Sequence, residues 1–410
     1  MGKHLWFVLA LAACAASPTS MDPGGDPPPP VDDPQPPGDP QPSVQLTLDA
    51  LQPGWHVTTG HLTSNGPAET TIVSDGTPIT LTGTADDVVL ANVTDETGAL
   101  VSTHVMGAPC TLASSHRLDV PAQYASIQDA IDAAAPGDTV KVAPGTYTES
   151  VKLRAGVCLV GSGARNTTLD AQGQTRTLVD LTEAPGSVVA GFTLRGVRSI
   201  AGCASSDVFE CSGDWYRAAV YLGGETWDDP VRYAPPLIVD NFFEDNEIGV
   251  MLYWHGVSIV RNNVFAGNAS AFVANHFQDK AFIANNVFVD NSALAIGNQA
   301  AYLDIIDNII AGSQVGIHFE YIQTGKIRCN LFYDNGANQD DINAVPPRFT
   351  IGTDGNVEID PHFMATGDYH LAQGSPAADA GCDPGTAFEP DGSPVDIGVY
   401  GGPLARWVDL

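Results

Sequence analysis

The segments VDNFFEDN (239–246), RNNVFAGN (261–268), ANNVFVDN (284–291), IDNIIAGS (306–313) and RCNLFYDN (328–335) are one unit written five times. Each sets an Asn ahead of two apolar residues, at Asn241, Asn263, Asn286, Asn308 and Asn330, and these anchors recur 22 or 23 residues apart. A second polar position follows five residues on, at Asn246, Asn268, Asn291, Ser313 and Asn335. Short strands, turn-forming residues and this period with no helix inside it specify a β-solenoid rather than a leucine-rich or helical repeat array. In such a stack the Asn side chains bond from coil to coil at the strand spacing of about 4.8 Å, so they read as structural.

A solenoid's first coil has an open core and an unpaired edge that must be covered. The cover is legible in YASIQDAIDAAAPGDTVKVAPGTYTESVKL (124–153). Ser126 caps a helix over 126–135, and Ile127, Ala130, Ile131 and Ala134 form its single apolar face. Pro136-Gly137 ends it, Thr139 to Val142 alternates as a strand, and Pro144-Gly145 turns the chain. Together with GVCLVGSGARNTTLDAQG (156–173), this stretch closely resembles the entry segment of right-handed parallel β-helix proteins of the pectin lyase-like superfamily. Asp360-Pro361, Phe363, GDYHL (367–371), SPAADAG (375–381) and DGSPVDIGVYGGP (391–403) look like the closing segment of exported bacterial members. The resemblance implies an all-β, three-faced right-handed solenoid over 116–410 with an N-terminal capping helix.

Upstream, Lys3 and His4 precede a short apolar run that ends in Leu11-Ala12-Ala13-Cys14, which resembles a lipoprotein lipobox. The expectation is a signal peptide over 1–13, a lipid on Cys14 and membrane contact through that anchor only; an ordinary signal peptide cut nearby is the alternative. Residues 17 to 43 hold eleven prolines and five aspartates without Lys or Arg, so 14–43 reads as an extended tether. Residues 44–115 alternate as TTIVSDG, PITLTG and VVLANVTD and predict a small domain of β-sandwich type. Six cysteines remain after Cys14, an even number without metal spacing; Cys203 and Cys211 bracket a short polar loop and are expected to pair, while the pairing of Cys110, Cys158, Cys329 and Cys382 stays open.

Seventeen basic residues against 48 acidic ones give a formal net charge of −31, which excludes nucleic acid as a partner. A polysaccharide is the expected partner; no cofactor or metal is called, with calcium left open by the acidic loops DNGANQDD (334–341) and ETWDDP (225–230). The superfamily's chemistries are each tested against residues. A methylesterase-like Gln278-Asp279 and Gly297-Asn298 are present, but Ala293 stands where that family's nucleophilic Asp belongs. Asp360-Pro361-His362 lacks the Tyr-Gly that precedes it in alginate epimerases, and bases for a lyase are scarce. Five Met and no His-rich tract speak against the copper-related members.

The strand opening each coil reads GVMLYWH (249–255), FVANHFQ (272–278), LAIGNQA (294–300) and GIHFEYI (316–322). Thirteen residues before each anchor lie Val250, Val273, Ala295 and Ile317, expected in the core; ten before it lie Tyr253, His276, Asn298 and Glu320, expected as an outward stripe. His276 and Glu320 are the acid/base candidates with Tyr253 assisting, and Trp254, Asn298, Trp215 and Trp227 are the ligand contacts, the last two on inserts over 198–216 and 224–236. The resulting expectation is a cell-surface lipoprotein that binds a polysaccharide along the β-helix face. A polysaccharide lyase or glycoside hydrolase, and a non-enzymatic structural or adhesive surface protein, are the alternatives.

Overall fold

The computed structural model describes residues 43–48, 51–61, 70–84, 89–94, 100–105, 117–198, 218–223, 235–254, 256–276, 279–321, 325–341, 347–382 and 393–402. Cys14, Cys203, Cys211, Trp215 and Trp227, and with them the lipid, tether and insert expectations, lie outside the described residues.

Between 43 and 105 the strands form two antiparallel sheets. Ser43–Leu48 pairs with Ile79–Thr84, and a second sheet runs in the order Thr70–Val73, His56–His61, Val89–Thr94, Leu100–Val105. Buried Leu51 and Val57 gather Trp55, Ile72 and Ile79 into a small core of their own.

From Arg117 onward the chain winds through three parallel sheets of nine, nine and eight strands. The coil that starts at Val257 shows the pattern: Val257–Arg261 joins the first sheet, Val264–Ala266 the second and Ser270–Ala274 the third, before Lys280–Ala284 returns to the first. The corner between first and second sheets is two residues long and carries the anchor Asn. The residue before each anchor takes a left-handed conformation, at Asp240, Asn262, Asn285, Asp307 and Cys329, with φ between 51° and 56°. Asp and Asn tolerate that region better than other L-residues, which explains the D/N-Asn pairs of the repeat.

Each anchor is fully buried and tied in both directions. The amide of Asn286 donates to Val260 O (2.9 Å), Ala284 O (3.0 Å) and Asn308 Oδ1 (3.0 Å), while its own Oδ1 accepts from the main chain (3.0 Å) and amide (3.1 Å) of Asn263. The ladder runs from Asn241 to Asn330 and then to Asn356, a sixth member that the 22-residue count skips because the last coil is longer. A second ladder joins Asn246, Asn268 and Asn291 and is interrupted at Ser313, whose hydroxyl has no partner among the described residues. Inside, Phe243, Phe265 and Phe288 stack at 4.5 and 4.8 Å, one ring per coil.

Both ends of the core are covered. The helix forms over Ile127–Ala133, shorter than the sequence suggests because Ala134 is already extended, and it buries Ile127, Ala130 and Ile131. Ser126 Oγ accepts the Asp129 N–H (3.1 Å), and the Glu149 carboxylate takes those of Ile127 (2.9 Å) and Gln128 (3.2 Å), so the first-turn donors are satisfied. At the far end Phe349 stacks on Phe332 at 5.0 Å, and Arg348 meets Asp341 at 2.6 Å.

The segment expected to close the solenoid does something else. Residues 360–382 and 393–402 run along its flank, where Ala377, Ile397 and Val399 pack on the outward residues Phe242, Val264, Val287, Ile309 and Leu331 of the second sheet. Asn262 donates to Val399 O (2.9 Å) and Gly401 O (2.7 Å), and a Cys329–Cys382 disulfide fastens the strap. The outer face of that sheet is apolar for this reason: it is a second, narrower core. Cys158 is disulfide-bonded as well.

Candidate functional site

The third sheet ends at a corner of variable length, and that variation decides which side chains share a row. Register pairs Leu252, Ala274, Asn298 and Phe319 across successive coils. From there to the next strand the chain takes five residues after Leu252 (to Val257), six after Ala274 (to Lys280) and four after Asn298 (to Tyr302). Counting back from the anchor asparagines crosses this corner and slips by one residue in either direction.

The expected stripe is therefore corrected. Asn298 lies in the inward row, 1% exposed, with its amide folded onto Ala301: Oδ1 accepts the Ala301 N–H (2.7 Å) and Nδ2 donates to its carbonyl (3.1 Å). The expected core row splits likewise. Val250 and Ile317 do align, with Phe272 and Ile296, whereas Val273 stands in the outward row of Met251, Gly297 and His318. Met251 and Val273 are nonetheless buried, in a separate apolar cluster against which Tyr253 packs.

Beyond the strand ends, the ladder continues through Asn275 N to Leu252 O (3.1 Å), Gln299 N to Ala274 O (2.9 Å) and Glu320 N to Asn298 O (3.0 Å). Tyr253, Asn275, Gln299 and Glu320 thus form one row. The next holds Trp254, His276, Ala300 and Tyr321. Trp254 is 45% and Tyr321 52% exposed, and Tyr302, at the end of the same short corner as Ala300, is 53% exposed. The Trp254 and His276 rings stack at 4.3 Å and 20°, with Tyr253 edge-on to Trp254 at 6.1 Å. Asn275 is 8% exposed, and its amide nitrogen has no hydrogen-bond partner among the described residues. The arrangement is an edge of exposed rings beside a row of hydrogen-bonding groups.

Of the predicted residues, the structure brings Tyr253, Trp254 and His276 together. Glu320 shares the Tyr253 row but sits two coils from His276, about 10 Å by strand spacing, with Gln299 and Ala300 between. That separation does not set His276 and Glu320 as one acid–base pair about a single bond. Tyr321 and Tyr302 were missed; aligning Phe319 in GIHFEYI with Leu252 in GVMLYWH, rather than counting from the anchors, reveals Tyr321.

Asp279, the esterase-like motif's second residue, is wholly buried. Its Oδ1 accepts the Gly256 N–H (2.9 Å), and Oδ2 accepts those of His276 (2.9 Å) and Asn275 (3.2 Å). Burial pushes its carboxyl up to about 7, against the opposing pull of these three N–H groups. His362 holds a turn at φ 53°, its N–H on Asp360 Oδ1 (2.8 Å). Asp340 faces His318 at 3.5 Å and Asp341 pairs with Arg348, so two of the three carboxylates in the acidic stretch 334–341 are turned to protein partners.

Among the described residues one group brings three metal-ligating side chains within reach of a common ion: Asp307, Cys329 and Cys382. The two sulfurs are joined in the disulfide and offer no thiolate, so the group does not fit a copper ion.

A family model described as periplasmic copper-binding protein (NosD) matches residues 163–345. The chain folds as a right-handed parallel β-helix. Similar solved structures include a mannuronan C-5 epimerase A-module from Azotobacter vinelandii, at 19% identity over 51% of this β-helix protein and 73% of that chain, with a TM-score of 0.31. A family 28 exopolygalacturonase of Yersinia enterocolitica is 14% identical over 69% of this chain and 70% of its own, TM-score 0.33. A mutant of the PL6 alginate lyase AlyGC is 12% identical over 59% of this chain and 40% of its own, TM-score 0.33. No curated protein matches the β-helix chain in sequence.

Proposed function

We propose that this protein is a cell-envelope β-helix that binds a polysaccharide along the corner edge of its third sheet, anchored through a lipid on Cys14 and held off the membrane by the tether at 14–43. One observation carries the reading: Trp254, stacked on His276, stands exposed in a row that ends in Tyr321, with exposed Tyr302 beside it. Exposed rings spaced along a straight edge give flat apolar surfaces to successive sugar rings, and Tyr253, Asn275, Gln299 and Glu320 add directional hydrogen bonds alongside. Trp215 and Trp227 are included in this proposal as further sugar contacts. Binding rather than turnover is favoured because His276 and Glu320 stand two coils apart.

The test is a binding screen of the full chain against neutral and uronate oligosaccharides, with and without calcium. Trp254→Ala and Tyr321→Ala are each expected to weaken the best binder about tenfold, the equivalent of about 1.4 kcal/mol for one lost ring contact. Unchanged affinity in both variants would move the site elsewhere. Cys14→Ser should release the protein from membranes or block its processing; unaltered membrane partitioning with normal maturation would remove the anchor.

A further inference from the structure

The corner that carries His276 takes six residues from Ala274 to Lys280, longer than its two neighbours, which take five from Leu252 to Val257 and four from Asn298 to Tyr302. A longer connection leaves more main-chain N–H groups without a ladder partner and more backbone freedom to restrain. Trp254, in the preceding coil, is itself held in a left-handed conformation at φ 52°, which a large side chain does not adopt without outside support. Two of the platform's ring-bearing positions therefore sit on backbone that is not self-supporting.

We infer that Asp279 is the positioning residue of the Trp254–His276 platform, its buried carboxylate acting as a clasp between the two coils that carry the rings. The geometry is specific. One oxygen takes the N–H of Gly256, two residues past Trp254; the other takes the N–H groups of Asn275 and His276. Asp279 N–H also returns a bond to the His276 carbonyl (2.9 Å), closing the turn on itself. One side chain thus fixes the main chain next to both rings, and the rings stack at 4.3 Å as a consequence. In the following coil the shorter corner is held by its own polar plug, Asn298 on Ala301, which reaches no neighbouring coil by those bonds. The clasp between coils is thus placed where the stacked pair is. Asp279 itself is fully buried and does not touch a ligand; it acts only through Trp254 and His276.

The role in binding rests on the reading of this edge as the sugar-contacting surface, and the test separates the two. In the unaltered full-length protein, amide hydrogen exchange at Gly256, Asn275 and His276 should be as slow as in the adjoining strands. Exchange at loop rates would overturn the clasp without any variant being made. In Asp279→Asn, one oxygen becomes a donor facing N–H groups, so the ring-current shift that Trp254 imposes on the His276 ring protons should be largely lost. Affinity for cellohexaose or hexagalacturonate, whichever the protein binds, should drop about tenfold, while Trp254→Ala in the same background weakens binding no further. Preservation of the His276 shift in Asp279→Asn refutes the positioning role. Loss of the shift with unchanged binding of both hexasaccharides keeps the clasp and refutes the edge as the binding surface.

Discussion

Replacing Asn286 by Ala removes the centre of the longest side-chain ladder, and the structure sets the size of the loss. Five hydrogen bonds disappear: three donated by the amide and two accepted by its oxygen from Asn263. Water cannot replace them, because Asn263, Asn286 and Asn308 are all 0% exposed. The damage is not five times a mean hydrogen bond, since Asn308 Oδ1 keeps the N–H of Asn286 and the Asn263 amide keeps Ile238 O and Arg261 O. The Asn263 N–H loses the partner it has, and the Val260 carbonyl loses its side-chain donor. Two orphaned buried groups at about 1–3 kcal/mol each, plus a small cavity, predict a loss of about 3–6 kcal/mol. Urea unfolding followed by circular dichroism measures it, with exposed Ser292→Ala as a control expected to move stability by no more than about 0.5 kcal/mol. A loss below about 1 kcal/mol for Asn286→Ala would show that the ladder does not carry the corner and that inner packing alone sets the coil.

The interrupted second ladder invites repair: Ser313→Asn should give Asn291 an onward partner and stabilise the protein by about 1 kcal/mol, and destabilisation would show that the corner has no room for an amide. For Asp279 the folded carboxyl titrates at about 7, above its ordinary 3.8, so the folded state holds the proton more tightly than the unfolded chain. Stability is then greatest below pH 4 and declines as pH rises to about 7, by at most about 4 kcal/mol relative to Asp279→Asn. Urea midpoints of both proteins across that range test the sign; an advantage of the wild type that grows with pH would mean that the three N–H groups keep the carboxylate ionised. Cys382→Ser opens a loop with a sequence separation of 53, for which chain entropy gives a cost of about 4 kcal/mol. Faster amide exchange is expected over 375–382 and 393–399 but not along the Asn241–Asn356 ladder, and uniform loosening would show that the strap is part of the main core.

Along the chain, what was legible depended on local rules. The Asn anchors, the apolar face of Ile127, Ala130 and Ile131, and the period of the coil all follow from contacts between residues whose spacing the sequence displays directly. The missed sixth anchor, Asn356, belongs to a coil of 26 residues, and a fixed period skips it. The stripe failed for a related reason. Tyr253, Trp254 and His276 are legible because they stand close to the strand end, whereas counting from the anchors puts Asn298 outside when it is inside. The corners of six and of four residues each differ by one from the corner of five, a one-residue slip reverses which face a side chain takes, and no local signal in LAIGNQA announces the short corner.

The sequence by itself determined the solenoid, its capping helix and its ladder residues, because periodicity and helix capping are properties of neighbours. Only the tertiary structure decided that residues 360–382 and 393–402 form a lateral strap, that Cys329 pairs with Cys382, that Asp279 clasps two coils and that Tyr321 and Tyr302 join Trp254 along one edge. These relations link residues up to 202 positions apart, as Arg165 and Gly367 are, and they depend on which coil lies over which. Register across a variable corner is set by the whole stack, where each strand has a single partner row that satisfies its backbone, and not by any segment read alone.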